Sequence, residues 1–185
     1  MKTTSKKKAG GFTLMELLVV MTIVAALAAL TAGGFKMVKQ KQRTQQGKIQ
    51  VHLLQMALED YATDHGEYPF HAEQSGKGGT DEIFNALYPT VASDEKVYLA
   101  ELDPDNDTQD WLQGQNGTEN LTIYDPWGNE YYYRTNDPEN PDVTTAANPD
   151  FDLWSAGPDG RTEPGANGNY DPKSPDNLDD IRGWD

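Results

Sequence analysis

From Phe12 to Phe35 the chain runs for 24 residues with one charged side chain, Glu16, and between Leu17 and Leu30 the only polar residue is Thr22. At about 1.5 Å of rise per residue a helix of this stretch extends roughly 36 Å, enough to cross a hydrocarbon core of about 30 Å. After Phe35 the pattern changes without breaking. Lys36 to Asp64 holds no proline and one glycine, Gly47, while Ile49, Leu53 and Met56, with Leu54, Leu58 and Tyr61 beside them, recur at helical spacing. The pattern predicts one long helix from about Thr13 to about Thr63, lipid-compatible in its first half and amphipathic in its second. Gly33–Gly34 is a soft point between the halves, since paired glycines weaken a helix interior. His65–Gly66 and then Pro69 end it.

Beyond the helix the periods are short. Asp81 to Leu87 predicts a small helix packing through Ile83, Phe84 and Leu87. Leu121–Tyr124 and Glu130–Arg134 read as strands with Asp125–Asn129 turning between them, and Phe151–Ser155 reads as a third strand. Asn116–Gly117 is a turn signal, Asp103–Asp110 a loop, and residues 156–185 are loop-rich without periodicity. A long helix beside a few short strands makes the expected class α+β, a helix packed on a small antiparallel sheet with a loop-rich C-terminal region.

Charge sharpens this picture. The chain has 185 residues and a formal net charge of −15. Four lysines lie in the first eleven residues, ahead of the apolar run; without them eleven bases face 30 acids, a net of −19. So acidic a surface argues against nucleic acid, because phosphate contacts need Lys and Arg. It suits an envelope domain or one that collects cations. The leading lysines favour a cytoplasmic N-terminus, with the remainder across the membrane. No cysteine is present, which excludes disulfides, thiolate zinc sites and cysteine nucleophiles.

Three readings compete for the N-terminus: a cleaved secretory signal peptide, a plain transmembrane anchor, and a specialised assembly signal. Gly11, Phe12 and Glu16 bear on the choice. GGFTLMELLVVMTIV resembles the class III signal of type IV pilins and pseudopilins. That resemblance implies cleavage after Gly11 by a dedicated prepilin peptidase, methylation of the new amine on Phe12, and a glutamate at the fifth mature position, here Glu16. It supplies a reason for the charge: a carboxylate in a bilayer is costly and is usually paired, and in a filament Glu16 of one subunit would neutralise the Phe12 amine of a neighbour. The alternative, that Glu16 merely reaches the membrane interface, stays open.

Further blocks resemble the major pseudopilins of type II secretion: YATDHGEYP at the helix exit, YDPWGNEYYYR at a hairpin, and FDLWSAGPDG followed by DDIRGW at the C-terminal closure. Residues 71–120 and 161–178 are longer than that family's pattern. The resemblance implies a pilin-like fold and a calcium ion held by Asp159, Asp179 and Asp180, with a backbone carbonyl near Ala156. Calcium takes six to eight oxygens in flexible geometry, and such an ion would tether a loop that has no disulfide. Asp103, Asp105, Asp107 and Asp110 space like the start of an EF-hand loop, but Thr108 and Gly114 stand where a glycine and a bidentate glutamate are needed, so the stretch reads as a solvated acidic loop. Trp127, Tyr131, Tyr132, Tyr133 and Trp154 read as a carbohydrate surface or as core, with core favoured for about half of them. His52, His65 and His71 have no nucleophile motif nearby, and no catalytic constellation is present.

The expected organisation is a basic leader over 1–11, a transmembrane and assembly helix over 12–35, its amphipathic continuation over 36–64, and a periplasmic globular domain over 65–185. The implied role is a structural subunit, not an enzyme, of a type II secretion pseudopilus in the inner membrane. Its partners would be further copies of itself, the prepilin peptidase, other pseudopilins, the inner-membrane assembly platform and lipid. The alternatives are an adhesive or DNA-uptake pilin, and an anchored calcium-binding envelope domain that does not polymerise.

Overall fold

The structure is a computed structural model that describes residues 11–71, 77, 79–89, 95–113, 121–136, 146–165 and 170–184, with the side chains of 30–36 left aside. The leader over 1–10 and the Asn116–Gly117 turn lie outside the described residues. Two compact units divide the chain, Met1–Gln40 and Lys41–Asp185. Helix α1 is continuous from Leu14 to His65, 52 residues, and runs through Gly33 and Gly34 without a break. Gly66, one residue past its end, donates to the Ala62 carbonyl at 2.8 Å.

In the first unit the described apolar side chains of α1 are exposed, from Leu14 through Leu27. Among the described residues no helix is long and apolar enough to cross a membrane. The spanning segment expected over 12–35 depends on residues 30–35, whose side chains are not described.

In the second unit α1 contributes Val51, Leu54, Ala57 and Leu58 to the core. The periodicity of the sequence is right and its phase needs correcting. Ile49 and Met56, read above as part of the stripe, are 57 % and 55 % exposed, whereas Leu54 and Leu58 are fully buried. Two apolar rows run along this helix nearly half a turn apart. Tertiary packing selects the row beside Gln50, whose Oε1 accepts from the Tyr131 hydroxyl at 2.8 Å at the centre of the interface. Gly47 lies on the same face. A Cβ there would meet Ile181 Cδ1 at 2.9 Å and the Trp127 ring at 3.3 Å, so a larger residue would have to displace the tip of Ile181 to keep the C-terminal strand this close to the helix.

Helix α2, Thr80–Leu87, buries Ile83, Phe84 and Leu87 as expected. The strands are β1 (Leu112–Gln113), β2 (Thr122–Ile123), β3 (Tyr132–Thr135), β4 (Phe151–Ser155) and β5 (Ile181–Arg182). β1 pairs with β2, and β3, β4 and β5 form a second antiparallel sheet in that order. The hairpin read from the sequence is present at its turn. Tyr124 bridges Glu130, and Asp125 N–H donates to the Asn129 carbonyl at 2.7 Å. Its two arms, however, join different sheets. β1 and β5 carry only two residues each, too few to show a period, and went unseen in the sequence.

All five residues of β4 are buried, which places it at the centre of its sheet with both faces covered. One of them is charged. Asp152 faces Arg134 of β3, with Arg134 Nε donating to Asp152 Oδ2 at 2.7 Å and both side chains fully buried. Both partners are tied to backbone: Asp152 accepts from Ala147 N–H and Asn148 N–H, and Arg134 Nη1 donates to the carbonyls of Pro164 and Gly165. It therefore fixes two irregular segments onto the sheet. Tyr131, Tyr133 and Trp154 are fully buried, so these aromatics are core, while Tyr132 and Trp127 are half-buried.

Candidate functional site

The first candidate site is the head of α1. Gly11 and Phe12 precede the helix in irregular backbone and are exposed, Phe12 at 88 %. Thr13 and Glu16 form a reciprocal pair. Thr13 N–H donates to Glu16 Oε2 at 2.9 Å, the Thr13 hydroxyl donates to the same oxygen at 3.0 Å, and Glu16 N–H donates back to Thr13 Oγ1 at 3.2 Å. This is a capping box, Thr at the N-cap and Glu at the third helical position, which satisfies backbone donors that an α-helix leaves unpaired at its start. The helix dipole also favours an anion there. Glu16 thus has a partner within its own chain, a role legible in the T-x-x-E spacing but not read from it above.

The second candidate site is the C-terminal closure. β4 ends at Ser155 and β5 begins at Ile181, and the register pairs these two residues. Antiparallel pairing therefore carries the turn after β4, which holds Ala156 and Asp159, to the residues before β5, Asp179 and Asp180. Gly157 makes the approach possible. Its φ is +65°, and a Cβ on it would fall 2.3 Å from the Asp179 carbonyl oxygen, inside any van der Waals limit. Asp159 N–H donates to Asp179 Oδ2 at 3.3 Å, at the end of the short helical turn Gly157–Asp159.

The three carboxylates are close but point differently. Asp159 is paired with Arg161, whose N–H donates to Oδ1 at 2.8 Å and whose guanidinium reaches Oδ2 at 3.3 Å. Asp180 Oδ2 accepts from the hydroxyls of Thr162 and Tyr170, both at 2.6 Å. Its Oδ1 is buried with no hydrogen-bond partner. Burial pushes the Asp180 carboxyl up to about 6; the two hydroxyl bonds oppose that shift, and the charges of Asp179 and Asp159 add to it. Ala156 is buried beside them. Among the described residues no group of three or more His, Asp or Glu is arranged to hold a metal ion.

Two residues that the sequence did not single out organise this region. Asn177 is buried, accepts from Glu163 N–H at 2.6 Å, and donates to the carbonyls of Glu163 and Asp171 at 2.9 and 2.8 Å. Asp125, at the head of the hairpin turn, accepts from Trp127 N–H, Asn129 N–H and the Ser155 hydroxyl. Asn129 then reaches across to the Gly157 carbonyl at 2.9 Å. Burial raises the Asp125 carboxyl above its ordinary range, against these hydrogen bonds. The turn motif is thereby joined to the closure. Around it Trp154, Tyr170 and Trp184 pack edge to face, with ring centroids 5.4–5.9 Å apart.

The loop that spaces like an EF-hand is organised by hydrogen bonds. Asp103 accepts from Asp105 N–H, and Asp107 accepts from Trp111 N–H and Leu112 N–H, so half of its aspartates cap backbone.

Both the head of the chain and most of its length resemble known proteins. The prokaryotic N-terminal methylation motif matches residues 6–32. The chain is 29 % identical to type II secretion system core protein G of Escherichia coli over 86 % of its own length and 88 % of that protein. It is 27 % identical to core protein G of Pseudomonas aeruginosa over 97 % and 98 %. It is also 26 % identical to a fimbrial protein of Neisseria meningitidis over 74 % and 83 %. No solved structure matches the chain. The resemblance to major pseudopilins read from the sequence is borne out, and the motif together with these relatives points to a membrane-anchored protein.

Proposed function

We propose that this chain, headed by an N-terminal methylation motif and similar along nearly its whole length to core protein G, is the repeating subunit of a type II secretion pseudopilus. The observation that carries the reading is the placement of the motif on an exposed apolar helix. From Phe12 to Leu27 the large apolar side chains of the head are 47–89 % exposed. Apolar surface gains about 25 cal/mol for each Å² removed from water, so this helix requires a cover of lipid or of sister helices. Both are what a subunit stored in the inner membrane and assembled through its helix would use.

Processing would cut after Gly11 and methylate Phe12. The new amine would lie one residue before the capping box, just ahead of the first turn of α1. Before assembly Glu16 is shielded by Thr13. On assembly its carboxylate would face the Phe12 amine of the neighbouring copy, an exchange of hydrogen bonds for an ion pair in a medium where unpaired charge is costly. Glu16→Ala is expected to leave cleavage near wild-type levels and to reduce filaments by at least tenfold. Electron microscopy of sheared filaments, with release of secreted protein as the companion readout, makes the test; normal filaments in the variant would refute the pairing.

The C-terminal closure would hold calcium through Asp159, Asp179 and Asp180 and the Ala156 carbonyl. What supports this is the buried, unpartnered Asp180 Oδ1 and the β4–β5 pairing that carries Asp159 to the corner where Asp179 and Asp180 lie, although in this arrangement the three carboxylates point differently. Ligation requires Asp159 to exchange Arg161 for the ion. The ion's chemistry is electrostatic: it would neutralise the corner and fix both ends of the 161–178 loop. Calcium is expected to raise the melting temperature of the chain by several degrees, and Asp159→Ala to abolish that increment. An equal calcium increment in the variant would remove Asp159 from the ligand set.

A second reading rests on the fimbrial relative: a pilus subunit displayed at the cell surface. Loss of the gene would then remove surface fibres or DNA uptake and leave exoprotein release intact.

A further inference from the structure

We propose that the outward face of α1 between Lys41 and Met56 is a docking surface for the acidic loop Asp103–Asp110 of a second copy of this chain. The inference rests on the filament reading above and adds which surfaces meet.

The face is set by helical spacing. Lys41, Gln45, Lys48 and His52 follow one another at i+4, i+7 and i+11, with Ile49 and Met56 alongside, and all six are exposed. The opposite side of the same helix carries the core row Val51, Leu54 and Leu58. Exposed apolar side chains flanked by cations are an unusual way to face water in a chain this acidic. Lys36 to Leu58 holds five bases and no acid, whereas Glu59 to Asp185 holds 29 acids and six bases. Elsewhere bases find carboxylates, as Lys96, Arg134 and Arg161 do. Lys41 and Lys48 have no ion pair among the described residues. Lys48 and His52 also line a cavity of about 320 Å³ together with Arg182 of β5, room for carboxylate side chains from outside. Asp180 lies there as well, its Oδ2 already held by Thr162 and Tyr170.

The complementary surface is the acidic loop itself. Asp103 and Asp107 cap backbone, whereas Asp105, with Glu101 before it, is exposed; Asp110 is exposed too but lines a cavity beside Arg43 and Gln46 of its own α1. Gln46 Nε2 donates to the Gln109 carbonyl at 3.3 Å, so the loop stands beside α1 at the same height as Lys41 and Lys48 but on a different side of the helix. A copy rotated about a common axis and shifted little along it therefore brings its loop against this face. The two patches are different surfaces, so the contact is head-to-tail, the class that propagates into rings or helical filaments. Exposed charge pairs are individually weak and are screened by salt. Ile49 and Met56 supply the buried area, and the charges set partner and register.

The chain has no cysteine, which makes the contact directly testable in the full chain in its membranes. Lys48→Cys combined with Asp105→Cys is expected to give an oxidant-dependent ladder of cross-linked copies on non-reducing gels, absent from either single variant. Lys48→Cys combined with Lys173→Cys, at an exposed position on another surface, is the control; an equal ladder from it would overturn the proposal. Lys41→Glu with Lys48→Glu is expected to cut filament yield at least tenfold, and adding Glu101→Lys with Asp105→Lys to restore it. Unchanged filaments in the reversal variant would overturn this contact and leave the filament reading standing, whereas a wild-type chain that forms no filaments would remove both. If the reversal instead weakens binding to phosphatidylglycerol vesicles and the loop reversal restores nothing, the face serves the membrane surface and the proposal fails.

Discussion

Asp152 and Arg134 are the costliest residues in the fold, since each alone would be a bare charge in the core. Together they neutralise one another, and four backbone groups hold them in place. Removing one partner of a fully buried pair typically costs about 3–5 kcal/mol, because the other is left uncompensated. Arg134→Met is therefore expected to destabilise the domain by about that amount in denaturant unfolding followed by tryptophan fluorescence; a change under about 1 kcal/mol would contradict the account. At the same scale Glu16 has two partners in prospect, Thr13 within the chain and an amine outside it. The first was open to view in the spacing Thr13-x-x-Glu16. The buried pair was not: nothing in YYYR or FDLW distinguishes a charge that faces a partner from one that faces water, because the distinction depends on strand register.

At the scale of elements, long periods were legible and short ones were not. The extent of α1 agreed to within two residues at either end, and α2 and β4 stood where their patterns put them. The phase of α1 did not, because Ile49, Leu53 and Met56 are as periodic as Val51, Leu54 and Leu58, and only the sheet decides between the rows. The two rows make opposite predictions. Leu54→Ala is expected to cost about 2–5 kcal/mol, as for other fully buried leucines. Ile49→Ala is expected to lie within about 0.5 kcal/mol of wild type in the isolated subunit. Comparable losses in thermal unfolding would reverse the assignment. β5 lacked a period altogether, yet its pairing of Ile181 with Ser155 is what brings Asp159 to Asp179. The closure was thus readable only through resemblance, and its inner ties, Asn177 and Asp125, not at all.

For the whole molecule the governing feature is segregation. An exposed apolar helix head, a basic stretch and a strongly acidic domain follow one another along the chain, and each lacks a complete partner within it. In the proposed filament, lipid or sister helices would cover the first, a neighbour's acidic loop would meet the second, and a cation would quiet part of the third. Assembly in this account depends on one event, a removal of the leader that would expose the Phe12 amine. The most direct test is the intact mass of the protein purified from its own membranes. The account predicts a chain that begins at Phe12 and carries one added methyl group. A chain that retains Met1 to Gly11, or one cleaved after Ala32, would contradict it.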